Sequence, residues 1–437
     1  MTFDLYNFIL SVLNDRAVFS SNSKYNTPIP KKGHPMRTIY VDKNIPRVLL
    51  TKFISPRWPG FVWTPFSSVV VADLPDPPLP GPRWLRVRNE MCGICASDLS
   101  LLFVHADPAI APAALPASNR FYLGHESVGR VTQVGAGVTG FKVGERVVMN
   151  THFEGANCQA LEIEPACRYC AEGETHFCEN NSQPWLGVGG GFSDSYVTHE
   201  TSILSCPNDI SNDQAVLAEP MAVAIHGVMR YPPPGGGCVL VIGAGIIGLS
   251  TVMAIHALFP SCEITALARY PHQQAMAERL GARHILTGRE DYAAIARLTG
   301  GKSFSAPLNK GIVTGGFDTI YDCVANAQTV NDSLRWVRAL GTVVMIGSYL
   351  APMRKVDLTP VWYSQVNLVG TYAKSSSEWQ GCRRYDYDWV FGFFRDGRFQ
   401  SEGLITHRFQ MEEYKQAFTV ALSKGRMRAI KVVIQHI

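Results

Sequence analysis

The run Gly243-Ala244-Gly245-Ile246-Ile247-Gly248 constrains this chain more than any other feature. It follows an apolar stretch, 238–242, and opens a helical stretch, 249–258, which is the strand–turn–helix setting that lifts a glycine pattern above chance. There Gly243 permits the tight turn, Gly245 lets the backbone approach a pyrophosphate, and Gly248 allows close helix packing. The helix N-terminus then receives the negative charge. Apolar segments 238–243, 263–268, 319–323 and 342–347 alternate with helical ones up to about residue 372, the pattern of a doubly wound parallel sheet. The second of these segments ends in Ala268-Arg269, where an NAD-binding chain places an acid for the ribose hydroxyls. With that acid absent, and with Arg269, Tyr270 and His272 close by, NADP is favoured over NAD. The alternative is that Arg269 is solvated surface and NAD binds.

The rest of the chain reads differently. From about residue 36 to 225, short β-type runs are separated by Pro, Gly and Asn, which predicts a barrel-like all-β domain. Residues 1–35 read as an N-terminal extension, 226–372 as the nucleotide-binding domain, and 373–437 as a segment that packs back on the first domain. The Tyr-Pro-Pro-Pro-Gly-Gly-Gly run at 231–237 is the expected hinge or turn. With 437 residues, 46% of them hydrophobic, there is enough apolar material for two cores. The net charge of +4 is dispersed, which argues against nucleic acid as a partner and for small-molecule chemistry. No apolar run of eighteen residues and no basic, apolar start is found, so a cytoplasmic protein with no membrane partner is expected.

Cysteine usage points to metal. Eleven is an odd number, and most of the cysteines fall in or near clusters with other ligand types. One constellation is Cys92-Gly-Ile-Cys95-Ala-Ser97-Asp98, then Gly124-His125-Glu126, then Glu219-Pro220. Thiolate, imidazole and carboxylate together suit a catalytic zinc that keeps a position open. The other is Cys158, Cys167, Cys170 and Cys178, four thiols around a Cys-x-x-Cys core in an acidic loop. Four thiolates close a tetrahedral shell, so this reads as a structural zinc lobe.

In motif content and order, the chain from about residue 36 onward resembles the zinc-containing medium-chain dehydrogenase/reductase superfamily, nearer its sorbitol and threonine dehydrogenase-like members. The resemblance implies a GroES-like β-barrel catalytic domain beside a Rossmann domain. It implies two zinc ions per chain, NAD(P), and hydride transfer between that cofactor and an alcohol or polyol, or the corresponding aldehyde or ketone. It also implies a dimer or tetramer. Carried over by position, Cys95, His125 and one or both of Glu126 and Glu219 hold the catalytic zinc. Asp98 orients the histidine, Ser97 begins the proton path, Val223 packs on the nicotinamide, and Lys431 approaches the cofactor phosphates. Ile246 and Ile247 sit within the glycine turn.

Three departures stand out. Ser100 occupies the place of a relay histidine, which leaves proton exit open between the cofactor ribose, Ser100 and His105. The first lobe ligand is usually three residues before Cys167, where Glu164 stands; Cys158 is preferred as the thiolate. The stretch 104–119 is extended and is expected to shape the substrate entrance, with Tyr122, Trp185 and Phe192 as lining or core. Two other readings remain: reduction of an activated C=C or C=N bond on the same scaffold, and a catalytically silent zinc- and nucleotide-binding protein.

Overall fold

The computed structural model describes residues 35–105, 119–150, 156–181, 186–288, 292–305 and 312–436. The extension expected at 1–35, except its last residue, lies outside the described residues, as do Trp185 and most of 104–119. Extended chain begins with the strand Met36–Asp42, which pairs antiparallel with Val69–Leu74 and with Arg120–Tyr122. Between the first two strands lies a helix, Ile45–Ile54, inside a region expected to be all β. The Asn44 side chain accepts from the Arg47 N–H, and Pro46 occupies the first turn, where its missing N–H is harmless.

A seven-stranded sheet is centred on Trp84–Gly93. That strand pairs antiparallel with Glu126–Val134, Ser195–His199 and the C-terminal strand Lys431–Gln435. The last strand of the chain thus lies beside one of the first, which places Lys431 next to the turn at Ile94. A second, six-stranded sheet is parallel throughout, with the neighbour order His284–Leu286, Glu263–Leu267, Cys238–Ile242, Phe317–Asp322, Val337–Met345, Asn367–Gly370. In chain order this is 3-2-1-4-5-6, so the connection reverses between Cys238–Ile242 and Phe317–Asp322 and opens a crevice beyond their carboxyl ends. The all-apolar run Val239–Ile242 is buried throughout, as a strand covered on both faces requires.

The helix Asn212–Arg230 joins the two sheets. Its start is fixed by a capping box, in which Gln214 N–H donates to Ser211 Oγ at 3.2 Å and Ser211 N–H donates to Gln214 Oε1 at 2.9 Å. From Ala215 to Met229 almost every residue is buried, and one apolar cluster runs from Met91, Val128 and Val148 through this helix to Val239, Val241 and Val344. The boundary expected near 225–226 therefore falls inside a continuous helix. Its apolar all-round burial ties it to both sheets, and the proline- and glycine-rich run 231–237 comes only after it. The C-terminal segment also holds a helix, Asp386–Arg395, packed on Asn212–Arg230.

His199 offers a test of the packing. Its Nδ1 accepts from the Thr201 N–H at 3.3 Å, and its ring meets Trp84 edge-on at 5.7 Å. Burial, with Arg83 adding to it, holds the ring's pKa down to about 4 from its ordinary 6.5. As pH falls from 6.5 towards 4, the unfolded chain binds this proton first, so folded stability declines over that window. His199→Gln is expected to flatten the fall in melting temperature across it; an unchanged slope would mean that this ring does not carry the effect.

Candidate functional site

Cys95 ends the turn after the central strand and is the N-cap of the helix Ala96–Leu102. The Asp98 carboxylate accepts the Cys95 N–H at 2.9 Å through Oδ2 and the Gly124 N–H at 3.1 Å through Oδ1, so one acid fixes both turns that carry the candidate ligands. The same Oδ1 lies 3.5 Å from His125 Nδ1, which leaves Nε2 as the ring's other ligand atom. Glu126 is brought in by the sheet: its cross-strand partner is Gly93, and a Cβ there would collide with the Glu126 carboxylate. Ligand atoms of Cys95, His125 and Glu126 all lie within 4.8 Å of one another.

Two features of this group fit a cation. Glu126 Oε1 is buried without a hydrogen-bond partner, while Oε2 is held by Lys431. Burial raises the Glu126 pKa, and Lys431 offsets this only in part. A buried carboxylate oxygen beside a thiol and an imidazole, with no donor of its own, suits a metal better than empty space. Ser97 Oγ is likewise buried and without a partner.

Lys431 is a correction to the sequence reading. It was expected at the cofactor phosphates, but only 1% of it is exposed, and its ammonium lies between Glu126 and the Ile94 carbonyl, 3.3 Å away. The reason is the strand pairing: Lys431 opens the strand that runs beside Cys92 and Gly93, and so reaches the carboxylate paired with Gly93. Glu219 lies outside the Cys95–His125–Glu126 group and forms a 2.6 Å ion pair with Lys374. Burial pushes the Glu219 carboxyl up, yet Lys374 and His125 outweigh it and the net shift is downward.

A cavity of 970 Å³ opens between the two sheets. Cys95, Ser97, Asp98, His125, Glu219, Val223 and Lys374 line it on one side, and Gly243, Gly245, Ile246, Ile247, Gly248 and Arg269 on the other. Gly245 caps the helix Ile246–Leu258, and a Cβ on Gly248 would overlap the Gly243 carbonyl, so only glycine allows the helix to start there. Arg269 is exposed at the end of the second parallel strand, beside Tyr270, which stacks on His272 at 5.8 Å. Tyr122 lines the cavity, whereas Phe192 is core. Neither Ser100, whose hydroxyl donates to the Ala96 carbonyl at 3.1 Å, nor His105 lines it.

The sulfur atoms of Cys158, Cys167, Cys170 and Cys178 also lie within 4.8 Å of one another, with the Cys158 and Cys178 sulfurs 3.7 Å apart. Backbone N–H groups of Cys167 and Asn180 donate to the Cys158 and Cys178 sulfurs, each at 3.3 Å, while burial holds the Cys178 thiol above its ordinary range. The Cys167 thiol is pulled down to about 6 by backbone N–H groups at Glu179 and Cys170. This lobe touches the cavity wall: the His176 and Phe177 rings, just before Cys178, lie 6.0 and 6.1 Å from Tyr372. Sequence reasoning missed Lys374. A lone lysine in the run Ala-Lys-Ser-Ser-Ser carries no periodic or motif signal and looks like solvated loop.

The geometry agrees with what the chain is similar to. A family model described as alcohol dehydrogenase GroES-like domain matches residues 81–208, and one described as zinc-binding dehydrogenase matches residues 247–384. The (R,R)-butanediol dehydrogenase of Saccharomyces cerevisiae is 30% identical over 307 residues, covering 66% of this chain and 76% of that one. D-arabinitol dehydrogenase 1 of Uromyces fabae is 25% identical over 84% of this chain and 93% of its own length. In fold, the chain is similar to a putative zinc-binding dehydrogenase from Sinorhizobium meliloti bound to NADP, with a TM-score of 0.66 and 21% identity over 92% of this chain and 100% of that one. It is equally similar to 2R,3R-butanediol dehydrogenase from Bacillus subtilis, with a TM-score of 0.65 and 21% identity over the same shares.

The Lys431 placement can be tested by removing its charge. Lys431→Met leaves Glu126 buried without its cation, and urea unfolding of the metal-stripped protein is expected to show a loss of about 3 kcal/mol. A loss of nucleotide affinity at unchanged stability would instead return Lys431 to the phosphates.

Proposed function

Because this chain belongs to the zinc-containing medium-chain dehydrogenase/reductase superfamily, we propose that it transfers hydride between NADP and an alcohol or polyol, or the corresponding carbonyl compound. The observation that carries this reading is a single cavity onto which both the Cys95–His125–Glu126 cluster and the glycine turn converge. Cys95, His125 and Glu126 would hold a zinc ion, with Asp98 orienting the imidazole, and the four-cysteine lobe would hold a second. When bound, the first zinc supplies a Lewis acid that lowers the pKa of an alcohol hydroxyl or polarises a carbonyl.

The chain's own groups do the rest. Ser97 Oγ, buried at the cavity wall without a partner, accepts the hydroxyl proton. A nicotinamide bound across the glycine turn would supply the hydride acceptor for the carbinol carbon, or the donor in the reverse direction. Val223, one turn beyond Glu219 on the shared helix, lines the cavity and would pack on the nicotinamide, with the fixed spacing between the two supplying orientation. Ser100 and His105 do not line the cavity, so of the three it is Ser97 that is placed to pass on a proton there. Arg269, with no acid at the end of its strand, would hold the 2′-phosphate, and Tyr270 and His272 would cover the adenosine. No helix among the described residues is long and apolar enough to cross a membrane. The outer strand Asn367–Gly370 has no partner on its far side among the described residues, which supports a homo-oligomer.

Metal content of the purified protein tests the two sites. Two zinc ions per chain are expected, one lost in Cys95→Ser and the other in Cys170→Ser; one ion or none in the parent protein would remove the metal-assisted reading. In parallel nucleotide titrations, Arg269→Ala is expected to weaken NADP about tenfold, as loss of a charge-assisted phosphate contact does, and to leave NAD nearly unchanged. Equal losses for both nucleotides would contradict the 2′-phosphate assignment.

A further inference from the structure

Lys374 is 2% exposed and Glu219 8%, yet both line the cavity, and their ammonium and carboxylate lie 2.6 Å apart. A lysine is not buried in this way by chance. Its backbone neighbours are clamped: the Ser375 N–H donates to Asp386 Oδ2 at 2.6 Å, the same oxygen lies 3.0 Å from His226 Nδ1, and the Trp389 indole N–H donates to the Ser377 carbonyl at 3.1 Å. His226 sits on the shared helix two turns beyond Glu219, so one helix carries both the carboxylate and the residue that anchors the segment holding its lysine. The Asp386 side chain, 0% exposed, comes from the helix packed against it.

Glu219 lies outside the Cys95–His125–Glu126 group but lines the same cavity as Cys95 and His125. An acid so placed would be drawn towards a dication held by those three residues. If it arrived, four protein ligands would close a tetrahedral shell, the arrangement of structural sites, and the position needed by substrate would be lost. Glu126, by contrast, keeps one oxygen unpartnered.

We propose that Lys374 is a positioning residue that holds the Glu219 carboxylate off the Cys95–His125–Glu126 metal position and so keeps one coordination place open for substrate. This rests on the reading above that those three residues bind zinc.

The test exchanges zinc for cobalt(II) in the whole protein and titrates imidazole, reading the change in the visible d–d bands. The four-cysteine lobe, being closed, is silent in that difference spectrum. Parent protein is expected to give a saturable imidazole spectrum. In Lys374→Met the apparent Kd is expected to rise about tenfold or more, the value for a competing internal ligand bound in roughly nine molecules out of ten. Lys374→Arg, which keeps the cation, and the double variant Lys374→Met/Glu219→Gln, which removes the competitor, are both expected to return near the parent value. Glu219→Gln alone should leave the Kd within about threefold of the parent; if Glu219 were the resting ligand it would tighten imidazole about tenfold. Cobalt bound with an unchanged Kd in Lys374→Met, a double variant that fails to recover, or a large effect of Glu219→Gln alone would each overturn the positioning role while leaving the metal reading intact. Absence of cobalt from the Cys95 site of the parent protein would overturn both.

Discussion

The structure turns on burying carboxylates beside a thiol and an imidazole. Glu126 and Glu219 are both withdrawn from water, and an unpaired carboxylate there would cost several kcal/mol or protonate. Each is answered by its own buried lysine, Lys431 for one and Lys374 for the other. The two pairs differ in completeness: Glu219 is drawn below its ordinary range, while Glu126 is raised and keeps a bare oxygen. That difference concentrates unmet negative character at Cys95, His125 and Glu126, where a cation would be stabilised most.

The topology can be read as the means of delivering those four charges to one place. Strand pairing brings Glu126 against Gly93 and carries Lys431 in from the end of the chain. A single buried helix brings Glu219 and Val223, then continues into the apolar cluster of the parallel sheet. Because that helix belongs to both cores, the glycine turn and the ligand cluster face each other across the cavity through contiguous packing rather than a linker. The four-cysteine lobe reaches the same wall through His176, Phe177 and Tyr372, so its integrity bears on the cavity as well as on its own loop.

Much of this could be read from the amino-acid order because short-range chemistry dictated it. The glycine turn, the Cys-x-x-Cys core and the Gly-His-Glu run each place their chemistry within a few residues, and the parallel sheet announces itself in apolar runs such as 239–242. What escaped was set by long-range pairing. Lys431 looked like a phosphate contact because the carboxylate it meets, Glu126, lies 305 residues earlier in the chain, and only the register of its strand with Cys92 and Gly93 brings the two together. Lys374 escaped for the same reason: the carboxylate it pairs with, Glu219, lies 155 residues earlier in the chain, and nothing around the lysine signals that partner. The helix Asn212–Arg230 concealed the division between the halves, since a helix apolar on every face carries no mark of which core it serves.

The most direct test of the account is isotopic. Secondary alcohols and polyols deuterated at the carbinol carbon would be incubated with the protein and oxidised NADP, and the recovered nucleotide analysed for deuterium. The account predicts deuterium on one face of the nicotinamide C4, with the matching carbonyl compound formed in equal amount and both lost in Cys95→Ser. Reduced nucleotide without deuterium, or turnover undiminished in Cys95→Ser, would contradict direct hydride transfer at this cavity.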